Sequence, residues 1–379
     1  MIFNIPIFRL KFSFGFKLKF LKGAWDILSS DRPLGESKYV KEFETKFAKL
    51  VGSEYAVACS NGTTAIELAL KAINVRGKKV VCPSNTFFAT TVAIENAGGK
   101  VILSDCEKET FSLSYNHLKK IISENEIGAV VIVHIGGIIS KDIAKIVSLC
   151  KKNNISLIED AAHAQGSQVE NFTAGTIGDV ACFSFFPTKV MTTGEGGMVT
   201  TNNSKIYESV KSLKNFGRDN KNSAIIVNSE GNNFKIHEFT GLMGSLECDR
   251  VINRIDKRNQ LLEQYRKNLE RTKFKVITQG SGRCSYYKCI LLSPYDTDEL
   301  RQWCKDDNIT LTGEVYRIPV HHQPLYKEKF DSSELKNTNY IANKHICPPL
   351  YPELAFDEVD YICDVLKNFE YEKQSRKAS

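Results

Sequence analysis

Six short apolar runs, at residues 79–82, 101–104, 129–135, 155–158, 180–185 and 198–201, alternate with stretches of helical periodicity such as 90–96, 142–151 and 205–214. Runs of this length, rich in Val, Ile and Phe, read as buried strands. Strands separated by helices need crossover connections, so the pattern predicts an α/β fold with a mainly parallel sheet covered by helices on both faces. At 379 residues and 42% hydrophobic, the chain is large enough for a sizeable core and for a large and a small domain sharing one site. The expected division is an arm at 1–32, a large domain at 33–250 and a smaller α+β domain at 251–379. Helical residues 239–266 lead out of the large domain, and the small one carries strand-like residues 286–292 and a helix at 357–369. No internal repeat interrupts this order.

In an open α/β sheet, ligands gather at the carboxyl ends of the strands. Residues 155–158 run into Glu159 and Asp160, which places an acid there. Residues 180–185 run into Phe186-Pro187-Thr188-Lys189-Val190-Met191-Thr192-Thr193-Gly194, which sets one lysine among apolar, hydroxyl and small residues. Burial lowers an ammonium pKa and frees the amine to attack a carbonyl, so Lys189 reads as a Schiff-base lysine. Pyridoxal phosphate needs such a lysine together with an acid that keeps its ring nitrogen protonated, and Asp160 can be that acid. Residues 55–59 form a further strand, followed by Ser60-Asn61-Gly62-Thr63-Thr64 and an apolar-faced helix. Gly62 permits a sharp turn, and the helix start with the Thr63 and Thr64 hydroxyls makes an anion site suited to phosphate. The turn is neither a P-loop nor a dinucleotide fingerprint.

Together these stretches resemble the DegT/DnrJ/EryC1/StrS family of sugar aminotransferases, of aspartate-aminotransferase fold type I. The resemblance begins near Ser37 and is carried by Val40-Lys41-Glu42-Phe43-Glu44, Asn61-Gly62-Thr63, Pro83-Ser84-Asn85-Thr86-Phe87, Glu159-Asp160-Ala161-Ala162, Pro187-Thr188-Lys189 and Gly194-Glu195-Gly196-Gly197. Further on, Asn233-Phe234-Lys235-Ile236-His237-Glu238 and Pro319-Val320-His321-His322-Gln323-Pro324 are similar to two more of its segments. It implies that Lys189 holds pyridoxal 5'-phosphate, that Asp160 faces the pyridine nitrogen and that Phe87 stacks on the ring. Ser184 would bind the phosphate with Gly62, Thr63 and Thr64, and Asn233 would reach it from the second subunit of a homodimer with shared active sites. His163 stands where many relatives carry Gln, beside the cofactor hydroxyl. The implied reaction moves an amino group from an amino acid, glutamate by family habit, to a nucleotide-linked keto sugar in glycan or surface-polysaccharide biosynthesis. A sugar dehydratase and a non-enzymatic regulator with the same cofactor are the alternatives.

The first 22 residues fit this picture poorly. Residues 8–20 alternate apolar with polar or small side chains, which predicts a two-faced strand. Arg9, Lys11, Lys17, Lys19 and Lys22 occur there with no acid, and taking these five charges from the chain's +7 leaves +2. The body therefore gives little reason to expect nucleic acid. Packing of this arm on a dimer partner is favoured over contact with an anionic membrane, because unpaired strand edges are poorly tolerated in a bilayer. Eleven cysteines without a CxxC pair argue against a zinc or other metal cage and suit a reducing cytoplasm.

Overall fold

The computed structural model describes residues 4–219 and 226–378. Helices α1 (Phe14–Leu28) and α2 (Lys38–Val51) precede β1 (Tyr55–Cys59), α3 (Gly62–Ala72), β2 (Lys79–Pro83), α4 (Ala89–Asn96), β3 (Lys100–Ser104), α5 (Tyr115–Glu124), β4 (Ile127–Val133), α6 (Ile143–Lys152) and β5 (Ser156–Asp160). A small ribbon of β6 (Gln168–Val169) and β7 (Phe172–Thr173) leads to β8 (Val180–Ser184), β9 (Gly197–Thr201) and α7 (Ser204–Leu213). The chain continues through α8 (Glu238–Cys248), α9 (Val251–Asn268), β10 (Lys275–Val276), β11 (Leu291–Leu292), α10 (Thr297–Asp306), α11 (Lys336–Lys344), β12 (His345–Ile346) and α12 (Phe356–Ala378).

Seven strands form one sheet in the order β1-β9-β8-β5-β4-β2-β3. All neighbours in the run from β3 to β8 are parallel, whereas β9 is antiparallel to both β8 and β1. The reversal follows from the connection: no helix joins β8 to β9, so the chain turns through the Lys189 loop and runs back beside β8. Successive side chains of β4 feed opposite cores. Ala129, Val131 and Val133 join Ala65 and Leu68 of α3, while Val130 and Ile132 join Phe43 and Phe47 of α2 and Ile146 of α6. Burial on both faces is why these strands read as unbroken apolar runs.

The C-terminal region adds the antiparallel sheet β10-β11-β12. The strand expected at 286–292 is reduced to Leu291–Leu292. Tyr286 sits at φ 39°, outside the extended region, so pairing cannot propagate through it.

The strand expected at 8–20 is overturned. Residues from Phe14 onward are α1, capped by Ser13, whose Oγ accepts the Phe16 N–H at 3.2 Å. Apolar residues at every second position arise because two helical stripes interleave. One, containing Phe20, Gly23 and Ile27, faces α8, where Leu242 fits against Gly23 so closely that a Cβ there would lie 2.5 Å from Leu242 Cδ1. The other, Phe14, Leu18, Leu21, Trp25 and Leu28, is exposed. Ahead of α1 the arm is fixed to its own chain: Ile5 is buried and bridges Ile309, and Arg9 pairs with Glu358 at 2.9 Å. No described helix is long and apolar enough to cross a membrane.

Candidate active site

Four connections converge at the carboxyl edge of the parallel strands. β1 delivers the start of α3, β2 delivers Phe87, β5 ends on Asp160, and β8 ends on Ser184 just before the Lys189 loop. Gly62, Thr63, Phe87, Asp160, His163, Ser184 and Lys189 all line one cavity of about 410 Å³, joined by Tyr287 and Tyr316.

The turn into α3 is a reciprocal cap. Asn61 Oδ1 accepts the Thr64 N–H at 2.9 Å, and Thr64 Oγ1 accepts the Asn61 N–H at 3.1 Å. This corrects the expectation for Thr64, whose hydroxyl is engaged in the cap and does not line the cavity. The Ala65 N–H is also taken, by the Asn61 carbonyl at 3.0 Å. Among the described residues, the first-turn N–H groups of Gly62 and Thr63 are the ones left for an anion. A Cβ on Gly62 would lie 2.7 Å from Ser184 Cβ, so glycine is what lets α3 close on the Ser184 hydroxyl. The result is a neutral cradle sized for a phosphate.

Asp160 is buried, accepting from Thr90 Oγ1 at 2.9 Å and from the Ala162 N–H at 3.2 Å. Burial raises its carboxyl pKa above the usual value, against the pull of these two donors, Lys189 and His134. A protonated ring nitrogen opposite it would supply the counter-charge that the carboxylate needs. For Lys189, burial lowers the ammonium pKa; Tyr287 and Asp160 pull it back up, and Lys288 pushes it further down. Its Nζ lies 4.6 Å from the centroid of the Tyr287 ring. Phe87 is 46% exposed and lines the cavity, with its ring centroid 4.1 Å from that of Phe88 and 5.8 Å from that of Tyr316.

Burial, and then the nearby ammonium groups of Lys189 and Lys288, hold the His163 imidazole well below its ordinary pKa. The ring is therefore neutral near pH 7. Its Nδ1 accepts the Gly136 N–H at 3.3 Å, which assigns the proton to Nε2, 3.4 Å from the Tyr316 hydroxyl. His163 can thus offer one hydrogen bond without bringing a charge.

Asn233 is not in this cavity. It lines a separate groove of about 1140 Å³ with Lys211, Arg218 and Lys235. Thr90, Tyr287 and Tyr316 join the site without having been expected from the sequence, and Thr188 is the flanking hydroxyl that reaches Tyr287. Thr90 was hidden in a helical pattern, and Tyr287 in a run taken for a strand. Among the described residues no cluster of three or more His, Cys, Asp or Glu could hold a metal ion.

The model of the DegT/DnrJ/EryC1/StrS aminotransferase family matches residues 19–367. The chain belongs to that family. Enzymes of the family depend on pyridoxal phosphate, and the lysine, buried acid, open aromatic face and anion cradle of this cavity fit that group. The chain is 30% identical over 346 residues to GDP-perosamine synthase of Escherichia coli O157:H7, covering 89% of this chain and 92% of that protein. It is 27% identical over 352 residues to the UDP-4-amino-4,6-dideoxy-N-acetyl-beta-L-altrosamine transaminase of Campylobacter jejuni, with coverage of 89% and 91%. Among solved structures it is similar to S. venezuelae DesV in complex with a ketimine intermediate, with TM-score 0.90 and 22% identity over 97% of this chain and 98% of that one. At that identity the likeness speaks for the fold, which is fold type I. This family member is a pyridoxal-phosphate-dependent aminotransferase.

Proposed function

We propose that this aminotransferase transfers the amino group of an amino acid, glutamate being the expected donor, to a nucleotide-linked keto sugar used in surface-polysaccharide biosynthesis. The observation that carries the reading is the meeting of Lys189 and Asp160 in one cavity, in a chain that matches sugar-nucleotide transaminases over nearly its whole length. When bound, pyridoxal phosphate supplies an electron sink that stabilises negative charge on the substrate carbon bonded to its imine nitrogen. Gly62, Thr63 and Ser184 would hold the phosphate, Asp160 would keep the ring nitrogen protonated, and Phe87 would support the ring face. Lys189 would move a proton between the substrate's α-carbon and the cofactor's imine carbon within each half of the cycle, acting as base at one and acid at the other. Its lowered pKa suits it to both tasks. His163 contributes a neutral donor beside the ring.

The same reading divides the chain into the arm at 1–32, a cofactor-binding domain at 33–250 and a small domain at 251–379. It also makes the working unit a homodimer. Asn233, held away from its own chain's cavity, is free to reach the phosphate of the other subunit. The outward stripe of α1 leaves five large apolar side chains without a cover among the described residues, and a second copy would supply one. Eleven free cysteines support a reducing cytoplasm as its compartment.

Two experiments test this. With a panel of nucleotide-linked 3-keto and 4-keto sugars and glutamate, mass spectrometry is expected to find one amino sugar nucleotide together with an equal amount of 2-oxoglutarate. Failure of every sugar, alongside turnover of a simple oxo acid, would refute the substrate class. For the dimer, Lys189→Ala and Asn233→Ala chains, each defective alone, are expected to regain activity when mixed under subunit exchange. A native chain that sediments as a fully active monomer would refute the shared site.

A further inference from the structure

Residues 285–290 carry Tyr287 to Lys189 and Lys288 to the same tyrosine ring, and none of the roles above uses either side chain. The Tyr287 ring stacks on His163 at 4.2 Å between centroids and 28° between planes, and its hydroxyl lies 2.9 Å from Thr188 Oγ1. Two ammonium groups approach this one ring: Lys189 Nζ at 4.6 Å from the centroid and Lys288 Nζ at 5.0 Å. The segment is held firmly, because the buried Arg258 guanidinium donates to the carbonyls of Tyr286 at 3.1 Å and Leu350 at 2.7 Å.

We propose that Tyr287 and Lys288 are positioning residues that act on Lys189 in opposite directions, the tyrosine ring holding its proton and the second lysine expelling it. The inference rests on the reading of Lys189 as the lysine that carries pyridoxal phosphate.

An aromatic face attracts a cation within about 6 Å of its centroid, and more strongly where water is excluded. Tyr287 therefore favours the ammonium form of Lys189 and fixes where it rests. A like charge favours the amine form, as in other lysines activated by a cationic neighbour. Burial favours the amine form of Lys189, which attacks a carbonyl readily and returns a proton poorly. Opposing neighbours place it where it can do both. The other titratable groups lining the same cavity are Asp160 at the end of β5, which favours the ammonium, Glu195 in the loop before β9, Tyr316 and the neutral His163. The Tyr287 phenol is raised by burial, but the ammonium groups of Lys189 and Lys288 and the Thr188 bond outweigh that and bring it below its usual value. The ring and the hydroxyl must therefore be tested separately.

The measurement is the pH dependence of cofactor attachment, independent of turnover. Enzyme stripped of cofactor is mixed with pyridoxal phosphate, and the Lys189 amine adds to the aldehyde carbon while the carbonyl oxygen leaves as water. Absorbance gives the rate, and borohydride reduction with peptide mapping gives the lysine. For Tyr287→Leu the midpoint of the rate profile is expected to fall by roughly 0.5–1 pH unit, the size of one cation–π contact between its exposed and its fully desolvated limits. Tyr287→Phe keeps the ring and should stay near native. Lys288→Met should move the midpoint upward, by roughly half a pH unit for a partly screened like charge.

A merely structural role would lower the thermal transition and leave the midpoints in place. Midpoints that stay fixed, or shift the same way in the Leu and Met variants, with Lys189 still trapped, overturn this proposal and leave the function standing. Equal shifts in the Phe and Leu variants overturn the assignment to the ring. If Tyr287→Leu does not fold, the Phe and Met variants still decide, since a Lys288→Met profile without an upward shift overturns it. Trapping on a different lysine in the native protein removes both readings together.

Discussion

Lys189→Ala is expected to abolish turnover while leaving the fold and the phosphate cradle intact. Loss of the proton transfer alone accounts for roughly 10²–10⁴-fold, and loss of the covalent tether adds to it. The fold should survive because, among the described residues, the Lys189 side chain enters no ion pair and rests over the Tyr287 ring, and the backbone N–H bond to the Phe186 carbonyl at 2.9 Å does not depend on the side chain. Removing a buried ammonium also removes its desolvation penalty, so thermal stability should hold or rise slightly. The check is turnover beside thermal denaturation of the same preparation, with borohydride trapping of the native enzyme to locate the modified peptide. A variant that keeps even about a tenth of native turnover would show that another group moves the proton.

The parts of this site that the sequence displayed share a physical origin. Strands buried on both faces must be apolar throughout, so their ends can be read from composition, and Asp160, Ser184 and the Lys189 loop fall at those ends. Gly62 could be read because a sharp turn into a helix needs it. The tight approach of Ser184 could not, since that contact joins two elements distant in the chain. Tyr287 is a clearer instance: it meets Thr188 across 99 residues, from a segment whose only local signal was apolar content. The arm misled for another reason. Apolar residues at every second position serve a strand with one buried face, and they equally serve a helix with two apolar stripes. Only the presence of α8 beneath α1, with Leu242 against Gly23, selects the helix.

Asp160→Asn is expected to lower turnover by about 10²–10³-fold, the range for removing one preorganised electrostatic partner from a buried site, with cofactor retained on Lys189. The asparagine side chain keeps its one oxygen for the Ala162 N–H and turns its amide NH2 toward the Thr90 hydroxyl oxygen, but it cannot balance a protonated ring nitrogen, and a neutral pyridine is a poorer electron sink. Asp160→Ala should lose at least as much rate and some stability too. It leaves the part-buried Ala162 N–H without its acceptor, at about 1 kcal/mol, whereas Thr90 keeps its 2.7 Å contact with Thr86. Comparing the two separates charge from packing: equal rates with unequal thermal transitions place the effect on the charge. In the free enzyme burial holds the Asp160 carboxyl above its usual pKa, so the bound ring has to bring it back down. Adding pyridoxal phosphate should therefore lower the pH at which this acid titrates, and Lys189→Ala, still able to bind the phosphate, allows that titration to be followed without turnover. An Asn variant that turns over within about tenfold of native would remove Asp160 from the chemistry and leave it as a cap on the Ala162 turn.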